Sequence, residues 1–195
     1  MKSRLLAPGF TERFGKAMAT LLFVALFVGA WPLFLAGQTQ PEALDVALVQ
    51  GQVPMAGHIA VLRDASAQLT LADVLAPEHA AQFVPITGGE PGFGPTDDAA
   101  WVRVHLRNSA PDPKDVVLDR KLTAGSFVDF YEPVVNGAET EVIRTGARMP
   151  YSSRPIEGRT FAFPIHLDGG AEGVYYLRVW TDFALRLPLT LWPAP

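Results

Sequence analysis

The side chains with most chemistry to offer sit on one face of one stretch. From Asp98 to Asn108, Val102, Val104 and Leu106 alternate with Trp101, Arg103, His105 and Arg107. That is the period of a half-buried β-strand. A plain solvated face more often carries Thr, Lys, Glu and Ser. An indole, two guanidiniums and an imidazole together offer an apolar wall and several hydrogen-bond donors, which is the chemistry of binding.

Catalytic and metal chemistries find less support. With no Cys, thiol catalysis, disulfides and Cys-ligated metal are excluded. His58, His79, His105 and His166 are scattered, with no second ligand at metal spacing on the same element. Asp97 and Asp98 follow a Gly-rich loop and have the oxygen chemistry of a Ca²⁺ site, but a solvated turn is the ordinary reading. That loop, 88–95, is not followed by Lys-Ser/Thr or a helix start, so it does not read as a phosphate loop. Glycoside hydrolysis needs two carboxyls about 5–9.5 Å apart across one bond. Glu139 and Glu141 share a strand face at about 7 Å, yet they follow Asn136-Gly137, where a surface hairpin suffices as explanation. No enzyme, cofactor or metal is expected. Arg154 and Arg159 share a polar loop and can grip a carboxylate or phosphate bidentately; alternatively they tie the loop to its own carbonyls and acids.

The chain has 195 residues, a formal net charge of -4 and 49% hydrophobic residues. Nucleic acid is an unsuitable partner for such a charge. Lys2, Arg4, Arg13 and Lys16 precede an uncharged run at 17–36 that is rich in Leu, Phe, Val and Ala. The run is near the roughly 20 apolar residues that span a bilayer, and the basic flank puts the chain from residue 40 onward outside the cytoplasm. Residues 1–36 read as a signal peptide or a signal anchor, which would link an uncleaved chain to the membrane. Residues 37–57 read as a linker with a short strand at 43–49. Residues 58–195 read as one domain, large enough for a full core.

Along that domain, strands are predicted at 58–63, 98–108, 116–119, 126–132, 139–145, 160–167, 173–182 and 185–192, and 83–86 reads as extended. Two of them, 98–108 and 116–119, are expected to form a hairpin across Pro111-Asp112-Pro113. Thr70 to Leu75 reads as one helical turn, with Thr70 and Asp73 placed for a capping box. Pro164 marks an edge strand or bulge. Leu185, Leu187, Leu189 and Leu191 share one face. Short strands with almost no helix predict an all-β, jelly-roll β-sandwich.

Several of these segments resemble a known family. They are 99–108, Val128-Asp129-Phe130-Tyr131, Arg144 to Ile156, Arg159 to Ile165, Tyr176-Leu177-Arg178-Val179 and Leu187 to Trp192. The most specific is the Pro-x-Ser-x-Arg-x-Ile-x-x-Arg-x-Phe-x-Phe-Pro run from Pro150 to Pro164. Over about residues 60–192 the chain resembles the type 2 extracellular domain of bacterial seven-transmembrane receptors with diverse intracellular signalling modules. The resemblance implies a sandwich related to carbohydrate-binding modules, on the periplasmic side of the inner membrane. It also implies a small ligand, of saccharide type, and a membrane receptor or kinase or cyclase partner. The family carries seven helices and an output module after this domain, whereas this sequence stops at Pro195. The reading is therefore a fragment or truncated reading frame of a receptor, or a sensor that acts alone. For a saccharide, Trp101, Arg103, His105, Tyr131, Tyr176, Arg178 and Trp180 are the candidate surface if their strands share a sheet. Otherwise Trp and Arg pack under loops, with Arg103 and Arg178 paired to Asp129 or Asp182. A ligand sensor requires a concave face with accessible Trp101 or Trp180; the alternative, a non-sensing protein-interaction module, requires a flatter apolar patch.

Overall fold

A computed structural model describes residues 41–121, 127–133 and 141–195. The apolar run at 17–36, the Asn136-Gly137 turn and Glu139 lie outside the described residues. In chain order the strands are β1 (Leu44–Asp45), β2 (Val53–Pro54), β3 (Ile59–Asp64), β4 (Val84–Pro85), β5 (Gly92–Pro95), β6 (Ala99–Arg107) and β7 (Lys114–Arg120). They continue with β8 (Phe127–Tyr131), β9 (Val142–Thr145), β10 (Phe161–Leu167), β11 (Glu172–Trp180), β12 (Ala184–Arg186) and β13 (Leu189–Pro193). Two short helices, α1 (Leu71–Leu75) and α2 (Pro77–Ala80), lie between β3 and β4.

The strands form a β-sandwich. One sheet runs β4-β3-β6-β11-β8-β9, with β1 parallel to β6 as its seventh strand; the other runs β10-β7-β13-β2. Strand alternation explains the layering, because every second residue points to the same side. Val102, Val104 and Leu106 of β6, with Tyr175, Leu177 and Val179 of β11, face Phe163, Ile165 and Leu167 of β10 and Leu118 of β7 in one core. At its centre the Phe130 ring stacks on Phe163 at 4.8 Å and on Tyr175 at 5.8 Å. β10 ends its sheet, so Pro164 occupies the edge strand its missing N–H predicts.

Four expectations are corrected. β6 and β7 form no hairpin: β6 pairs with β3 and β11, and β7 pairs with β10 and β13. The reason is at the corner between them. Asn108, 1% exposed, donates its amide to the carbonyls of Asp112, Leu167 and Asp168 and accepts from the Ala110 N–H. This ties the corner to the turn before β11, so the chain crosses between sheets. Gly169 completes the join, since a Cβ there would lie 1.8 Å from the Pro111 carbonyl oxygen. Second, the stretch 185–192 is split. Its four leucines are all buried, but β12 pairs with β5 and β13 with β7, the break falling at Leu187 and Pro188. Third, β5 lies within the predicted loop 88–95; its partner is some ninety residues on and so left no local signal. Fourth, the stretch read as a linker contributes β1 and β2 and buries Val46, Val49 and Met55 in the core.

Truncating Phe130 should be among the most damaging single changes. Phe130→Ala is expected to lower the unfolding free energy by about 3–5 kcal/mol, measured by urea denaturation. Phe183→Ala, at a residue 64% exposed, should change it by no more than about 0.5 kcal/mol.

Candidate functional site

The outer face of the seven-stranded sheet collects the aromatic and charged residues. Directly paired residues share a face, and the register sets them in rows. One row is Ala60, Arg103, Tyr176, Tyr131 and Val142. The next is Leu62, Trp101, Arg178, Asp129 and Arg144. Beyond it Trp180 pairs with Phe127, and at the other end His105 pairs with Val174. Trp101, Arg103, His105, Tyr131, Tyr176, Arg178 and Trp180 are therefore brought onto one surface.

Half of that surface is roofed. After β3, Asp64 turns the chain: its carboxylate, 2% exposed as a residue, accepts from the N–H groups of Ser66 and Leu69. Thr70 then starts α1, and its capping box with Asp73 is present in both directions. The segment lays Val74 and Phe83 over Trp101, Tyr131 and Tyr176 to form a second, smaller apolar cluster. Trp101 is fully buried and stacks on Tyr131 at 5.3 Å. Phe83 meets Tyr176 edge-on at 6.0 Å, and Arg103 lies 4.5 Å above the Phe83 ring.

The other half is open. Trp180 is half-buried and its N–H donates to the Asp97 carbonyl at 3.0 Å. Its ring leans on Phe127, 38% exposed, at 5.7 Å. Together they form an aromatic ledge beside Arg178 and Asp129. The Arg178 guanidinium donates to the Ala67 carbonyl at 2.6 Å and sits 3.9 Å from the Asp129 carboxylate. Ala67 has φ +52, in the left-handed region where Ala is strained. Two buried donors on this face, the Trp101 indole N–H and the Arg178 Nε–H, have no acceptor among the described residues. Such groups are uncommon in folded proteins and cost about 1–3 kcal/mol each.

Burial sets the electrostatics. It pushes Asp129 above its ordinary carboxylate value, against the opposing pull of Arg178 and Arg144. It also raises the Tyr131 and Tyr176 phenols and lowers the Arg103 guanidinium. His105 stays outside this cluster, bonded to Glu172 at 2.5 Å. Arg154 is elsewhere: it donates to the Gly158 carbonyl and stacks 5.0 Å from Phe161, a residue of the main core. Arg159, on the same loop, is exposed. Asp98, one half of the calcium alternative, is paired with Arg63, and no acid or imidazole cluster fit for a metal occurs among the described residues. Among them, too, no helix is long and apolar enough to cross a membrane.

Phe127 and Asp129 are the participants not among the sequence candidates. The signal was present, because both share the parity of Tyr131 on β8.

The sequence model of the family described as 7TMR-DISM extracellular 2 matches residues 56–193. The chain belongs to this family. It is a family of extracellular domains of membrane receptors, so an extracytoplasmic location follows. The 7TMR-DISM extracellular 2 match begins in the chain just before β3 and ends at the last residue of β13. No curated protein matches the chain. Among solved structures, a family GH115 4-O-methyl-alpha-glucuronidase, BtGH115A, with specificity for decorated arabinogalactans, is similar at 15% identity and a TM-score of 0.31. The alignment covers 75% of this chain and 18% of that one, and so spans about a fifth of the enzyme's length. A score that low carries no conclusion about this domain.

Because its folded pKa is raised, ionised Asp129 opposes folding. The cost is complete above the folded pKa and vanishes as pH falls below the unfolded value of 3.8. Carboxyl-carbon NMR should find Asp129 titrating above 3.8, and higher still in Arg178→Met, where an attractive charge is gone. Titration at or below the ordinary value would contradict the burial described here.

Proposed function

We propose that this chain is the ligand-sensing domain of a bacterial membrane receptor system, working on the periplasmic side of the inner membrane. It binds a small polar ligand of saccharide type on the outer face of the seven-stranded sheet and does not turn it over. The observation that carries this reading is the half-open aromatic ledge of Trp180 and Phe127 beside the fixed Arg178–Asp129 pair. Pyranose rings offer an apolar face and a rim of hydroxyls. The ledge takes the first, while the guanidinium and carboxylate take the second. The unmatched Arg178 Nε–H adds a donor that a hydroxyl oxygen would satisfy.

Arg178 also connects the ledge to the roof, through its bond to the strained Ala67 carbonyl. A ligand that draws the guanidinium toward itself weakens that bond, loosens the segment 65–83 and gives a receptor partner a changed surface to read. This is a differential interaction with two states, which any ligand-driven change requires. A seven-helix receptor or a kinase or cyclase subunit is the partner class that the family context favours.

Thermal unfolding of the purified chain against mono- and oligosaccharides tests the proposal. A ligand at a hundredfold excess over Kd adds about 2.7 kcal/mol of stability. The shift should disappear in Trp180→Ala and in Arg178→Met, while the unliganded midpoints of both variants still report a folded domain. A panel without any shift would instead favour a protein-interaction module, for which the exposed Phe127 and Phe183 supply the apolar surface.

A further inference from the structure

We propose that the edge between β2 and β13 holds a second binding site, for a small monocarboxylate with an apolar body. It is lined from β2, β3 and β13 and from the stretches before β5 and β13, and it shares no residue with the ledge of Trp180. A cavity of about 170 Å³ opens there, walled by Pro54, Ile59, Leu187 and Leu189 with Lys121 and Glu90 in its lining.

The walls are set by backbone bonds. Met55 N–H donates to the Leu189 carbonyl at 3.0 Å, Leu187 N–H to the Pro91 carbonyl at 2.9 Å, and Lys121 N–H to the Pro188 carbonyl at 3.2 Å. The walls are thus held by the chain's own backbone bonds, and preorganised sites lose less on binding. Its size sets the ligand's bulk: a dry cavity of about 150 Å³ accommodates benzene. Its charge sets the ligand's polar end. Glu90 is paired with Arg186 at 3.1 Å, so the lining's acid is already neutralised. The Lys121 ammonium donates to a neutral acceptor, the Gln52 amide oxygen, at 2.9 Å. A carboxylate placed on that ammonium gains a charge-assisted bond, while a ring or branched chain fills the space between the prolines and leucines. Aromatic and branched-chain carboxylates fit this description.

Calorimetric titration of the full chain with sodium benzoate and with 3-methylbutanoate provides the test, with benzyl alcohol as the uncharged counterpart of benzoate. Saturable binding of the two acids is expected, with benzyl alcohol weaker by about tenfold or more. Lys121→Met should lose the same factor and Lys121→Arg should retain most of the affinity. Ala56→Phe, at a half-buried wall position, should block both acids; it reports independently of Lys121. Each variant is to show a wild-type unfolding midpoint before titration. Absence of acid binding to the wild-type chain overturns the proposal. So does affinity that is unchanged in Lys121→Met, equal for benzyl alcohol, or indifferent to Ala56→Phe.

Discussion

From Ala99 opposite Trp180 to Arg107 opposite Glu172, β6 and β11 pair antiparallel without a slip. Both strands are buried on two sides. Their aliphatic residues enter the main core, and Trp101 and Tyr176 enter the smaller cluster under the roof. A slip of one residue would exchange these faces, placing guanidiniums in the sandwich and valines under the roof. Guanidiniums in the sandwich would be charges in apolar surroundings, which is costly unless they are paired. The register is therefore held from both sides at once. Everything else on the outer face, including the ledge of Trp180 and Phe127, takes its place from that pairing and from the matching register of β8 with β11.

The roof explains how charged residues persist on a face so largely closed to water. Arg103 sits over the Phe83 ring, and Arg178 reaches the Ala67 carbonyl. Both guanidiniums thereby exchange hydration for contacts with the segment 65–83. Asp129 remains ionisable between Arg178 and Arg144, but burial outweighs their attraction. Burial also raises the Tyr131 and Tyr176 phenols on this face, and its Arg178 Nε–H has no acceptor among the described residues. The sandwich beneath it, with its stacked Phe130, Phe163 and Tyr175, supplies the rigid support that such a face requires.

Much of this was legible from alternation alone. The parity of Trp101, Arg103 and His105, of Tyr176, Arg178 and Trp180, and of Phe127, Asp129 and Tyr131 could be read in the sequence, and each triplet does share a face. The capping box of Thr70 and Asp73 was likewise local and was found as expected. What alternation does not carry is the identity of a strand's neighbour. The expected hairpin of β6 and β7 failed because the Asn108 corner bonds to residues about sixty positions away. The four leucines from 185 to 191 all turned inward, yet Leu185 lies on β12 in one sheet, Leu189 and Leu191 on β13 in another, and Leu187 at the break between them. The core role of Val46, Val49 and Met55 was hidden in a stretch of polar and turn-forming residues.

By itself the sequence determined the strand periods, the all-β class, the sign of each face and, through the run from Pro150 to Pro164, the family. These are properties of nearest neighbours along the chain and of residue order. Only the tertiary structure decided which faces meet solvent. Trp101 and Trp180 share a pattern and a sheet face, but one is fully buried and the other half-open. The difference is made by a segment that folds back over the first and stops short of the second. Burial is a property of what packs against a residue, and that partner was some twenty to thirty residues away from Trp101, beyond the reach of any local pattern.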